Sequence, residues 1–405
     1  MRDVAIVGAG MTRFGKYADR GLKELSSEAV TEALQSAGVD KRALEVAVVG
    51  NAAAGVITGQ ECVRAQVVLR EMGIDKIPMV NAENACASSS TAFQVAWLYV
   101  ASGMYDVALA LGVEKMYSED KAKSMAAFGA AVDVEQLREI MERLKPPAEQ
   151  KAGAESGAGK SRSLFMDIYA AAARAHMQKY GTTKEQFARV AVKNHHNGSL
   201  NPHAQYRERY SLEEILASPL ISEPLTRLMC APIGDGAAAA VLVSADKARQ
   251  YTTKPVLVRG SALVSGSDDR TAGSATSRCA QRSLEMAGVT MRDVQVMEVH
   301  DASAPAELLI YEDLGVCPEG EGGRLVDEGV TEIGGKLPVN TSGGLLAKGH
   351  PVGATGVAQI YEIWLQLRGE AGDRQVAGAK VGLTQNGGGM IRGEAAATVV
   401  HVLSV

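Results

Sequence analysis

One cysteine and two histidines in this chain have neighbours that would let them do chemistry. Cys86 lies in "NAENACASSSTAF" (81–93), just after the apolar run "IPMV" and at the head of a long segment of small and apolar residues. A residue at such a strand-to-helix passage projects from the carboxyl end of a sheet at a helix N-terminus. There the dipole favours a thiolate, and free backbone N–H groups can receive an oxyanion. Position alone divides Cys86 evenly between a nucleophile and the buried structural cysteine that is the usual fate of this residue type. A base decides. His350 stands in "NTSGGLLAKGHPVGATG" (340–356), where five glycines allow sharp turns and Pro351 fixes the chain behind it. A histidine held there is poised as a base or an oxyanion donor. His300 ends an apolar strand, "VQVMEVHDAS", and also emerges at a strand's carboxyl end. A third glycine-rich turn, "TQNGGGMIRG" (384–393), can set bare N–H groups against a ligand. The other histidines read as structural. His195 and His196 lie in a polar helical stretch, "KNHHNGSLNPH", that ends at His203, and both are read as solvated; His176 is packed or on the surface of an Ala-rich helix, and His401 is in the last strand.

The elements that must hold these residues alternate. "VAIVGAG", "LEVAVVGN", "IPMV" and "VALALGVE" read as strands, and "LKELSSEAVTEALQSAG" and "CASSSTAFQVAWLYVASG" as helices, which points to an α/β unit with a largely parallel sheet. Residues 34–49 and 284–299 match at seven of sixteen positions at a constant offset of 250, with apolar phase and helix end coinciding. That is the pattern of a duplicated helix–loop–strand unit, and duplicated halves form a site where strand ends meet. Between the halves the pattern breaks into a Pro pair and a Gly/Ala/Ser-rich loop. The expected organisation is a first half of residues 1–117 plus 226–250, an inserted loop domain at 118–225 set upon it, and a second half at 251–405.

Bulk properties exclude several classes. At 405 residues the chain is too long for one simple core. Its net charge of −5 shows no footprint for nucleic acid or an anionic membrane. No apolar run reaches the roughly 18 residues that span a bilayer, and the N-terminus reads as a first strand. Five cysteines without a CxxC pair support neither zinc nor disulfides, so a reducing cytoplasm is the default. "GAGMTR" (8–13) has Arg13 where a dinucleotide fingerprint needs its third Gly or Ala, and "AESGAGKS" (154–161) has Ala154 in place of the first Gly of a phosphate loop.

Taken together, these segments resemble the thiolase superfamily, and within it the sterol-carrier-protein and archaeal type. "NAENACASSSTAF" is similar to its nucleophile segment, "HDAS" to HDxF, "GGLLAKGHPVGATG" to GHPxGxTG, "NGGGM" to the end of CxGGGxG, and "PLTRLMCAPIGDGAAAAVL" to the strand returning from its loop domain. The resemblance covers nearly the whole chain. It implies a thiolase fold, two α/β halves in five αβαβα layers, with the insertion on the coenzyme A side. It implies Cys86 as acyl-accepting nucleophile, His350 as its base, His300 as partner at a thioester oxygen, and the N–H groups of Cys86 and Gly387 as an oxyanion hole. Coenzyme A is then a substrate, with no permanent cofactor and no metal. A homodimer is implied too.

One departure matters. Thiolases carry a second cysteine as acid/base for the α-carbon, but Gln385 and Ala302 occupy its two usual places. His300, His350, a water or a tyrosine from the insertion are left for that proton. Subtypes without this thiol include thiolase-like proteins that work with a small zinc-finger/OB-fold partner. One of them cleaves (S)-2-benzoylsuccinyl-CoA to benzoyl-CoA and succinyl-CoA. An acetoacetyl-CoA or 3-ketoacyl-CoA thiolase with such a partner, a thiolase-fold retro-aldolase and a non-catalytic acyl-CoA-binding protein are the alternatives.

Overall fold

A computed structural model of the chain describes residues 1–136 and 163–405. The Pro pair and the phosphate-loop look-alike at 154–161 lie outside them. Nine strands form one sheet: β1 (Val4–Met11), β2 (Val46–Gly50), β3 (Met79–Ala82), β4 (Val107–Glu114), β5 (Gly236–Ser244), β6 (Val256–Ser265), β7 (Val296–Glu298), β8 (Val381–Gly388) and β9 (Ala397–Ser404). Their spatial order is β3-β2-β4-β5-β1-β6-β9-β8-β7. The helices that matter here are α1 (Leu22–Ala37), α2 (Ser88–Ala101), α3 (Lys121–Gly129), α4 (Leu164–Tyr180), α5 (Lys184–Ser199), α6 (Ala275–Ala287), α7 (Ala304–Asp313), α8 (Gly344–Lys348) and α9 (Thr355–Arg368).

The strand order is two copies of one pattern joined edge to edge. The first half runs β3-β2-β4-β5-β1. The second runs from a bridge at Val339 through β7-β8-β9 to β6, and the two meet where Ala5 pairs with Leu257 and Ile6 with Val256. The repeated sequence has repeated structure. α1 ends at Gly38 (φ 63°, ψ 26°), whose N–H reaches the Leu34 and Gln35 carbonyls; α6 ends at Gly288 (φ 66°, ψ 31°), whose N–H reaches those of Leu284 and Glu285. Each left-handed glycine stops its helix and is followed by a 3₁₀ turn and then β2 or β7. The sheet is less parallel than expected. β2–β3, β2–β4 and β7–β8 are parallel, whereas β5 and β9 run antiparallel to their neighbours. Parallel pairing needs a crossover, usually a helix. β5 instead returns from the insertion to lie beside β4 and runs back along it.

The layers follow from which strand faces are apolar. Ala5, Val7, Ala47, Val49, Leu109 and Val241 pack on α1. The opposite face, with Ile6, Val48 and Ala110, packs on α2 and α9, which also touch Val256, Val296 and Leu403 of the second half. Val400, Val402 and Leu383 then pack on α6 and α7. The result is five layers, with α2 and α9 buried in the middle. The "GAG" of β1 serves this packing and holds no nucleotide: a Cβ at Gly8 or Gly10 would stand 2.5 Å from the α1 carbonyls of Ala33 or Ala29.

The insertion does not sit only on the half it interrupts. Ala170 and Ala173 of α4 and Phe187, Ala188, Val190 and Ala191 of α5 share a core with Ala304, Leu308 and Tyr311 of α7 in the second half. α3 packs on the first half, where Ala127 and Phe128 lie beside Ala52, Ala53, Cys86 and Val352 at the nucleophile turn.

Candidate active site

Cys86 sits in a 3₁₀ turn, Ala85–Ala87, between β3 and α2. Ala85 takes φ 48°, a left-handed conformation rare for a residue with a Cβ. Hydrogen bonds hold it there: Ala85 N–H donates to Glu83 Oε1 at 2.6 Å, and Ser88 Oγ accepts from Asn84 N–H at 3.0 Å while donating to the Ala85 carbonyl at 2.6 Å. The small residues after Cys86 have a steric cause. Ser88, Ser89 and Ser90 are fully buried. Around them, Cβ atoms at Gly50, Gly112 and Gly356 would stand 2.6, 2.4 and 2.0 Å from Ser89 or Ser90 atoms. The start of α2 is thus threaded between two strand ends and α9.

The turn does not leave Cys86 ionised. What exposure the residue keeps faces a cavity, and burial pushes its thiol up to about 12, with Gly389 and Cys86 N–H groups pulling the other way and buried Glu114 adding to the rise. Desolvation therefore overrides the helix dipole, and the thiol needs a base. The amide beside Sγ is that of Gly389. Gly387, two residues earlier, pairs with Thr398 inside the sheet and lines a cavity next to Cys86. A Cβ on Gly388 between them would stand 2.0 Å from the Asn84 carbonyl, so the glycines let this turn press against the nucleophile loop.

His350 and His300 are both buried and meet edge to face, 5.3 Å between ring centroids. Their side chains and Cys86 Sγ bring potential ligand atoms within 4.8 Å of one another. Hydrogen bonds give the rings opposite tautomers. Thr355 Oγ1 donates its one proton to the Pro351 carbonyl at 3.1 Å, so at 2.8 Å it accepts from His350 Nδ1–H, and His350 Nε2 is left bare. Asn386 Oδ1 accepts from Ser90 at 2.9 Å, so the Asn386 amide donates to His300 Nδ1 at 2.9 Å, and His300 Nε2 carries the proton. Burial holds both rings neutral, lowering His300 to about 4 and His350 well below the ordinary histidine value. One ring can accept a proton and the other can donate a hydrogen bond. A metal on this trio would need His300 to move its proton to Nδ1, against the Asn386 donor.

The polar stretch read as solvated is the wall behind these rings. His195 is only 1% exposed, and Lys193, Asn194 and Asn197 are buried beside it. Asn194 donates to Asp301 at 2.8 Å and Glu307 at 2.6 Å, Lys193 reaches Glu307 and the Val339 carbonyl, each at 2.7 Å, and Asn197 reaches the Asn340 carbonyl. Asp301, next to His300, accepts the N–H groups of Leu345 (2.6 Å) and Leu346 (3.3 Å) at the head of α8, tying the two histidine turns together. The amide groups of Asn194 and Asn197 and the Lys193 ammonium each find acceptors, which is how so polar a helix face can be buried. Asn194 Oδ1, His195 Nδ1 and Asn197 Oδ1 have no partner among the described residues. His196 is exposed as expected. His176 is packed against Glu312 and Thr182, and His401 against Ser261 and Phe93.

Two cavities meet at Cys86. The larger, about 560 Å³, is lined by His350, Ala302, Met125, Phe128, Tyr206 and Tyr210, with Lys16 and Arg227 exposed at its rim. The smaller, about 270 Å³, is lined by His300, Thr276, Gln385, Gly387 and Gly389. Phe165 and Tyr169 of α4 line both. Gln385 is held at both ends of its amide: its Oε1 accepts His300 N–H at 3.1 Å and its Nε2 donates to Thr276 at 3.2 Å. Sequence reasoning named neither Asn386 nor Thr355. The only trace of either was a polar residue adjoining a glycine-rich turn.

Comparison with known proteins gives the following. A family model described as "Thiolase, N-terminal domain" matches residues 4–246, and one described as "Thiolase C-terminal domain-like" matches 260–404. The chain is 42% identical to an acetyl-CoA acetyltransferase of Methanothermobacter thermautotrophicus over the full length of both. It is 37% identical to sterol carrier protein 2 of Bos taurus over 95% of this chain and 69% of that protein. A solved structure titled "Ltp2-ChsH2(DUF35) aldolase" aligns with TM-score 0.78 and 25% identity, covering 100% of this chain and 98% of the other.

Proposed function

The chain belongs to the thiolase family, and we propose that it cleaves a β-ketoacyl-CoA with coenzyme A through an acyl-Cys86 intermediate, or runs the reverse Claisen condensation. The observation that carries this reading is the meeting of Cys86, His350 and His300 within 4.8 Å at the junction of two cavities. The bare His350 nitrogen takes the thiol proton as Sγ attacks the keto carbon. The oxyanion is received by the Cys86 N–H and an N–H at the 387–389 end of β8, where the Gly389 N–H faces the sulfur. Cleavage of the Cα–Cβ bond leaves an enolate of the departing acyl-CoA, whose oxygen faces the His300 Nε2–H and the His350 imidazolium. After the product leaves, CoA gives its thiol proton to His350 and its sulfur takes the acyl group, and Cys86 recovers its proton.

The substrate is a β-ketoacyl-CoA with room for more than an acetyl group. The larger cavity is mostly apolar and aromatic, with Lys16 and Arg227 against one acidic residue, Glu83, among its exposed lining. The aromatic wall and the two cations support an aryl acyl group bearing a carboxylate, as in (S)-2-benzoylsuccinyl-CoA, and acetoacetyl-CoA is the smaller alternative. A small zinc-finger/OB-fold partner belongs to the same proposal, and the solved neighbour titled as an aldolase complex with a DUF35 chain supports it. Retro-aldol cleavage needs no acyl-cysteine, so the Cys86–His350 pair favours thiolysis. We assign residues 118–225 to the loop domain that closes over the CoA side, and an assembly of two chains. A thiolysis screen of both substrates, with and without the partner, tests the reading: CoA-dependent cleavage supports it, and cleavage of neither substrate under either condition refutes it.

A further inference from the structure

The trio leaves one proton unassigned, the one that must reach the enolate carbon. We propose that Tyr169 of α4 supplies it, standing in for the second thiol of other family members. This rests on the thiolysis reading above. Neither position where that thiol is expected can serve: the Gln385 amide does not titrate and is held by His300 and Thr276, and Ala302 presents only a methyl group to the larger cavity. His300 Nε2–H belongs to a neutral ring that cannot release it near neutral pH, and the His350 imidazolium is held at the thioester oxygen. Cys230 lines the larger cavity beside Ala302, but its thiol donates to the Thr226 carbonyl at 3.4 Å.

Tyr169 is placed differently. It lines both cavities, shares each with Cys86, and its hydroxyl has no hydrogen bond to the described residues. Burial raises its pKa, so the phenol holds its proton until a stronger base arrives. The enolate is such a base. The phenol O–H bond breaks, a C–H bond forms at the α-carbon, and the phenolate regains a proton from the His350 imidazolium through solvent in the cavity. The proton lost by Cys86 thus balances the one gained by product. In the condensation direction the steps reverse: His350 takes the phenol proton through solvent as the phenol oxygen takes up the α-proton.

The experiment separates acyl transfer from carbon protonation. Exchange of labelled CoA into acetyl-CoA needs Cys86 and His350 but moves no α-proton; exchange of solvent deuterium into the acetyl methyl group needs the α-proton acid/base. Tyr169→Phe is expected to keep CoA exchange within about threefold and to slow deuterium exchange by at least about 100-fold. Cys230→Ala is expected to keep both. If Tyr169→Phe keeps both exchanges, or loses both alike, or if Cys230→Ala alone loses deuterium exchange, the assignment is overturned while the thiolysis reading stands. A wild-type enzyme that exchanges CoA label into neither acetyl-CoA nor benzoyl-CoA overturns that reading, and this proposal with it.

Discussion

In the resting site Cys86 keeps its proton, and two neutral imidazoles face it. Because burial lowers His300 to about 4 and His350 well below the ordinary histidine value, both rings stay unprotonated across the range in which an exposed histidine titrates. The acid limb of CoA exchange is therefore expected well below pH 6.5, and the rate is expected to be flat from about pH 6.5 to 9, because the thiol lies near 12. A limb centred near 6.5 in the pH–rate profile would contradict this. The opposed tautomers are testable at one atom. Asn386→Asp replaces the donor at His300 Nδ1 with an acceptor and so strips Nε2 of its proton. It should lower kcat by about 10²–10³-fold with KM little changed, measured by steady-state kinetics. His350→Gln removes the base and should slow acyl transfer by about 10²–10⁴-fold.

At the scale of elements, catalysis depends on turns that only particular neighbours permit. Gly388 is pressed against the Asn84 carbonyl. Gly388→Ala should push the oxyanion turn away from Cys86, abolish activity and cost about 1–3 kcal/mol of stability, read from the denaturation midpoint. Asp301 splices the His300 and His350 turns through Leu345 and Leu346. The first-half strands, the buried α2 and the duplicated Gly38 and Gly288 helix ends were legible in the sequence because local pattern determines them: apolar runs, small-residue runs and a left-handed glycine. β6 was not read, and Thr384–Gly388, read as part of a glycine-rich turn, is the end of β8. The burial of α5 was not. "KNHHNGS" looks solvated until Asp301, Glu307 and the Asn340 carbonyl arrive from about 100 to 150 residues away to satisfy it. The tautomers were hidden for the same reason, since Asn386 and Thr355 act through hydrogen bonds made only in three dimensions. The nucleophile and the glycine-rich histidine turn were legible because each carries its own unusual composition.

At the scale of the whole molecule, two copies of one α/β unit join at β1 and β6. They place the Cys86 turn before α2 and the His350 turn before α9, the two central helices that touch in the middle layer. Duplication was readable as a 250-residue offset, but the antiparallel β5 and β9 were not, because strand direction is decided by where the chain re-enters the sheet. β3 is the outer strand of the first half, with Met79, Val80 and Ala82 only half-buried and Asn81 exposed. An open edge of that kind invites pairing with a second copy, so light scattering should return twice the 42.5 kDa of one chain. The central claim is that Cys86 carries the acyl group from one CoA to the other. Rapid quenching after mixing with a cleavable β-ketoacyl-CoA, followed by peptide mass analysis, tests it directly. The account predicts an acyl adduct on the peptide containing Cys86, absent in Cys86→Ala together with all cleavage. Full cleavage by Cys86→Ala would contradict it.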